Sequence, residues 1–115
     1  MESLKRKSDF QNLLTQGNKL KPAPWLLVNF AKNDLGLLRV GFTASAKIGS
    51  AIVRNRLKRW SREFLKHQDQ ISLDVNFVFL KARGASGQAT IYKELKHEEF
   101  DRVLAKTWKL FRQKI

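Results

Sequence analysis

A chain of 115 residues with 43% hydrophobic content suits one modest core, so a single domain over 1–115 is expected. Its 23 basic and 10 acidic residues leave a formal net charge of +13, a self-repulsion best offset by a polyanionic partner, nucleic acid ahead of an anionic membrane surface. The lack of cysteine excludes disulfide and thiolate chemistry, no apolar run approaches the ~20 residues of a membrane span, and MESLKRKSDF has no apolar secretion core, which makes a cytoplasmic location the default expectation.

In chain order, Ser8 or Asp9 is placed to cap a first helix with Phe10, Leu13 and Leu14 on one face and Gly17 as its stop. Lys21-Pro22-Ala23-Pro24 reads as a breaker, with a short strand at Asn18 to Lys21 only faintly signalled. Trp25 to Ala31 and Leu37 to Ala44 read as strands joined by Asn33-Asp34-Leu35-Gly36, which has hairpin-turn chemistry. Leu38, Val40, Phe42 and Ala44 share one face of the second strand. A basic helix follows from about Ile48 to His67, with Gly49 implying a close backbone approach at its start. Asp74 to Leu80 alternates Val75, Phe77 and Phe79 as a further strand, and Arg83 to Thr90, with Gly84, Ser86 and Gly87, reads as an exposed loop. The last helix starts near His97 and buries Phe100, Leu104, Trp108 and Phe111; its acids Glu98 and Glu99 come first and its cations Lys109, Arg112 and Lys114 last, as the helix dipole favours. The economical architecture is α+β, one sheet covered by helices on one side.

The segment VRNRLKRWSREF, Val53 to Phe64, carries the chemistry. Val53, Leu57, Trp60 and Phe64 recur at the spacing of one helical face. Asn55, Arg59, Arg62 and Lys66 fall on the opposite side, with Arg54 and Lys58 on one flank and Arg56 on the other. Glu63 is the sole acid among them, so the run is read as a phosphate-binding surface rather than a solvated face. Arginine grips two phosphate oxygens with a planar fork. Asn55 can contact a base edge or a ribose, or serve the helix backbone instead.

These residues resemble the protein subunit of bacterial ribonuclease P. The likeness runs from Arg39-Val40-Gly41 through Lys47-Ile48-Gly49 and Ala51 to Val53-Arg54-Asn55-Arg56, Lys58-Arg59, Arg62-Glu63 and Phe64, with Leu4-Lys5 and Asp9-Phe10 near the start. The resemblance implies a two-layer α/β sandwich of order αβββαβα, a mostly antiparallel central sheet, and a left-handed crossover around the basic helix, similar to a domain of a ribosomal protein. It implies that a catalytic RNA removes the 5′ leader of precursor tRNA with bound Mg2+, held mainly by RNA phosphates, while the protein binds that RNA and the leader without an obligate protein partner. It carries RNA contact to Lys47, Arg54, Asn55, Arg56, Lys58, Arg59, Arg62 and Lys66, and a leader cleft to Phe10, Leu14, Val28 and Phe30. Leu14 and Val28 stand where the family often has aromatics, which puts the details of leader recognition in question. Read without the family, Phe10 is a plain core residue.

A catalytic site of the protein's own is not expected. His67 and His97 sit at a helix end and a helix start with nothing to link them, and no metal-ligand spacing is evident. A non-catalytic ribosome-associated RNA binder and a self-sufficient nuclease are the competing classes.

Overall fold

Alternation of side chains across four paired strands decides the layout of the molecule. The computed structural model describes residues 1–69, 71–84 and 90–114. Its elements are β1 (Glu2–Ser3), α1 (Lys7–Gln16), β2 (Asn18–Ala23), β3 (Leu26–Lys32), β4 (Leu38–Ala44), a short 3-10 turn (Ala46–Ile48), α2 (Ala51–Lys66), β5 (Leu73–Phe79), α3 (Ile91–Glu94) and α4 (His97–Lys114). The expected αβββαβα order is present, with the two-residue β1 and four-residue α3 added. The strands lie in the order β1-β4-β5-β3-β2. The sheet is more evenly mixed than expected: β2–β3 and β3–β5 are antiparallel, β1–β4 and β4–β5 parallel.

β5 is the central strand, and the register makes two chemically distinct faces. Phe30, Val75 and Val40 form one cross-strand row, and Val28, Phe77 and Phe42 the next. Of these only Phe42 is not fully buried, and together they build the core with Leu57, Trp60 and Leu65 of α2 and Phe100, Leu104, Trp108 and Phe111 of α4. The other face carries the rows Leu27–Val78–Thr43 and Asn29–Asn76–Gly41. That side is covered in part by α1, whose one fully buried residue is Leu13. Helices on one side therefore describes α2 and α4, but α1 lies against the opposite face, too short and too polar to cover it all.

Four local expectations are corrected. β3 and β4 are not a hairpin, because β5 lies between them. The turn chemistry is real, but it spans two strand spacings, about 10 Å. Asn33 accepts from the Leu35 amide and donates to the Leu37 carbonyl and to Asp74 on the intervening strand. Alternation reports a strand's faces, not its neighbours. Second, Lys21-Pro22-Ala23 lies in β2; a break in register between Leu20 and Ala23 and an edge position accommodate the proline. Third, α1 is preceded by Arg6 with no side-chain cap, so neither Ser8 nor Asp9 serves. Fourth, the buried stripe of α2 is Leu57, Trp60, Ser61 and Leu65, with Val53 and Phe64 half-buried. Ser61 is tolerated there because its hydroxyl donates to the Leu57 carbonyl at 2.8 Å. The expected loop at 83–90 falls mostly on 85–89, outside the described residues, and its ends Arg83 and Thr90 pair as an isolated bridge.

Gly49 behaves as expected: its φ of 154° suits glycine, and a Cβ there would lie 3.1 Å from the Val53 Cβ. Ser50 then caps α2 by accepting from the Val53 amide at 3.4 Å.

A charged clasp fixes α1 to the sheet. Arg39 on β4 donates to both carboxylate oxygens of Asp74 on β5, at 2.8 and 2.6 Å, and lies 3.7 Å from Asp9 on α1. Burial alone would raise the Asp74 carboxyl, but hydrogen bonds from Arg39 and Asn33, with the Arg39 charge, outweigh it and hold its pKa below the ordinary value. The hydrogen bond to Asp74 in turn raises Arg39. A depressed carboxyl contributes stability that is complete above its unfolded pKa and is lost as pH falls through the folded one. Asp74→Asn is thus expected to cost about 2 kcal/mol at neutral pH and to flatten the decline in stability below about pH 4. Urea unfolding across pH checks this; parallel wild-type and variant profiles would contradict it.

Candidate nucleic-acid interface

The exposed arc of α2 is made by packing of the other side. With Leu57, Trp60, Ser61 and Leu65 against the core, Asn55, Arg59, Arg62, Glu63 and Lys66 are left facing solvent. Arg59 lies 4.0 Å from Glu63, an exposed pair worth little. Arg62 stands over the Phe42 ring at 5.5 Å to the centroid, which steadies the guanidinium without neutralising it. Lys58 and Arg54 are half-buried on the flank, and Lys47 is exposed in the turn joining β4 to α2. Ile52, 80% exposed on this surface, was not singled out by sequence reasoning, since an apolar residue in a helix is ordinarily assigned to the core.

Arg56 departs from the expected role. Its Nη2 donates to the Tyr92 carbonyl at 2.5 Å, its guanidinium covers the Trp60 ring at 5.0 Å, and its Nε is buried. It ties α2 to α3 rather than presenting a free fork. Periodicity put it on the flank of the polar face, and the unforeseen α3 supplies the partner. Tyr92 itself anchors α3, its hydroxyl reaching the carbonyl oxygens of Trp25 at 2.9 Å and Leu80 at 2.5 Å, and burial raises its phenol pKa.

On the other face of the sheet, α1 leaves a cleft of roughly 400 Å3 lined by Lys7, Phe10, Gln11, Leu14, Leu27, Asn29, Thr43, Asn76 and Val78. Phe10 is half-buried and lies against Gly41, where a Cβ would come within 2.4 Å of its ring, so Gly41 makes room for the aromatic. Leu14 is 55% exposed at the rim. Asn76 donates to Thr43 at 3.1 Å, whereas the Asn29 Oδ1 is buried with no partner among the described residues. Val28 and Phe30 do not line this cleft. They are 0% and 3% exposed and point into the opposite core, Phe30 packing on Phe111. Strand alternation puts Leu27 and Asn29 in the cleft instead, a shift of one residue that reverses the face. The sign was in the sequence: Val28 and Phe30 share parity with Leu26 and belong to the all-apolar side.

Among the described residues, no group of three or more His, Asp or Glu could hold a metal ion, and no helix is long and apolar enough to cross a membrane.

Fold and surface together define a small basic α+β domain with a cationic helix on one side of its sheet and a mixed apolar and polar cleft on the other. The ribonuclease P family profile matches residues 1–111. The ribonuclease P protein component of Fusobacterium nucleatum is 35% identical over 101 residues, covering 85% of this chain and 90% of that protein. That of Staphylococcus epidermidis is 30% identical over 114 residues, covering 97% and 94%. The chain belongs to the ribonuclease P protein family. The structure of the Thermotoga maritima RNase P protein superimposes with a TM-score of 0.76 over 93% of this chain and 94% of that one, at 24% identity, a likeness of fold.

Proposed function

We propose that the protein docks on the catalytic RNA of ribonuclease P through the exposed arc of α2, and holds the 5′ leader of precursor tRNA in the cleft under α1. The RNA cuts the leader to make the mature 5′ end, and the complex works in the cytoplasm. The observation that carries this reading is the α2 arc: Arg59, Arg62 and Lys66 stand in solvent around Asn55 with Glu63 as the one acid of that face. Such an arc releases counterions on meeting phosphates, so binding is strong and salt-dependent. Arg54, Lys58 and Lys47 extend the charge along its flank, whereas Arg56 supports the surface from beneath.

The cleft offers what an unpaired strand needs. Phe10 presents a ring for a base, Leu14 and Leu27 add apolar walls, and Asn29, Thr43 and Asn76 set polar atoms on the floor. Among the described residues no cluster of carboxylates and imidazoles offers a dedicated magnesium site, and Mg2+ is assigned to RNA phosphates. The polypeptide contributes counter-charge and substrate discrimination.

Reconstitution tests the reading. At low magnesium, precursor tRNA with a 5′ leader is expected to be cut when protein and catalytic RNA are both present, and not by either alone. Cleavage by the protein alone would make it a nuclease in its own right. Binding to RNA without any effect on cleavage would leave it a structural RNA binder.

A further inference from the structure

The seam where α4 meets α2 carries a feature that charge does not explain. His97, the first residue of α4, lies flat on Trp60 of α2, ring centroids 4.6 Å apart and planes 4° from parallel. Trp60 is 9% exposed, but the imidazole side chain is 43% exposed. The inner ring of this stack is thus locked in the core against Phe100, at 5.4 Å, and the outer ring is open to solvent. Two carboxylates lie at the edge of the imidazole: its Nε2 is 3.5 Å from Asp101 and 3.9 Å from Glu63. Glu63 in turn lies 4.0 Å from Arg59, so the stack adjoins the cationic arc.

From this geometry we propose that His97 is a stacking platform for one unpaired nucleobase of the bound RNA. The inference rests on the proposed docking of α2 on RNA and names a contact within it. A ring already held in place loses little freedom when a base covers it, and stacking accepts any base. The surrounding acids set the direction of the strand. Asp101 of α4 and Glu63 of α2 repel phosphate at the Nε2 edge of the ring, while Arg59, four residues before Glu63 on α2, attracts it toward the cationic arc. A nucleotide therefore lies with its base over His97 and its phosphate toward Arg59. A membrane headgroup has no flat ring to offer, which makes RNA the fitting partner.

Stacking is a non-ionic contact, and that separates it from the arginines. In titrations of the intact protein against transcribed ribonuclease P RNA, His97→Ala is expected to weaken binding by ~5-fold or more, by the same factor at every salt concentration. His97→Phe, which keeps a flat ring and loses the ring nitrogens, is expected to restore binding. Base-specific chemical probing is expected to show one unpaired nucleotide shielded by wild type and by His97→Phe, and exposed with His97→Ala. Thermal melts of each variant separate lost contact from lost fold. Wild-type affinity in His97→Ala, or a loss that Phe leaves unrepaired and that tracks salt, would overturn the platform while leaving α2 docking intact. Failure of the wild-type protein to bind the RNA at all would instead sink the docking itself.

Discussion

Replacing Arg59 and Arg62 together by alanine is expected to weaken binding to ribonuclease P RNA about thirtyfold, at ~1 kcal/mol per charged phosphate contact, and to reduce the log–log salt slope by about two. Both side chains leave the core-facing stripe of α2 and stand in solvent, so their loss should spare the fold. Arg56→Ala is the internal contrast. It removes a donor from the Tyr92 carbonyl and uncovers Trp60, so it is expected to cost about 1–2 kcal/mol of stability and to leave the salt slope as it is. Three neighbouring arginines on one helix should thus separate into two classes by salt titration and urea unfolding. If Arg56→Ala flattened the slope as the double variant does, the assignment of Arg56 to the interior would be wrong.

The second large effect is expected in the cleft, and it should be selective. Phe10→Ala removes the ring that lines the cleft, and Gly41→Ala drives a methyl to within 2.4 Å of where that ring lies. Each is expected to raise KM for leader-bearing precursor tRNA by about fivefold to tenfold, as loss of one stacked base would, with leaderless tRNA and assembly with the catalytic RNA little changed. The two variants reach one ring from opposite sides, so agreement between them points to the ring rather than to either backbone. Equal losses for leader-bearing and leaderless substrates would remove Phe10 from the leader path. Val28→Ala should behave differently again. Its side chain is fully buried in the core, so it costs stability and shows no leader selectivity.

The sequence disclosed the α2 surface almost completely, because a 3.6-residue period with one polar side fixes which residues face out once the apolar ones are buried. Asn55, Arg59, Arg62 and Lys66 were legible for that reason. Arg56 was not, since its partner is the Tyr92 carbonyl of a four-residue helix, α3, too short to leave a periodic signal. The strands were legible as strands, but their order was not. Nothing in the alternation of Leu73–Phe79 says that β5 slips between β3 and β4. The cleft was legible in part. Phe10 was recognised through the family resemblance, whereas the same resemblance put Val28 and Phe30 in the cleft against their own parity, which groups them with Leu26 on the apolar side. Ile52 and the His97–Trp60 stack escaped notice for a further reason: an exposed isoleucine and a contact across two helices have no local signature.

The absence of cysteine allows a direct test of the central claim, that the outer face of α2 lies on RNA. A single cysteine placed at Lys66, at the end of the arc, can carry a chemical probe that cleaves nearby nucleic acid. A second at Leu35, 53% exposed in the loop between β3 and β4, serves as the control. Bound to ribonuclease P RNA, the probe at position 66 is expected to cut the RNA at a few clustered nucleotides, and the probe at 35 to leave those nucleotides uncut. No cuts from 66 in a complex that still forms, or the same cuts from both positions, would contradict the account.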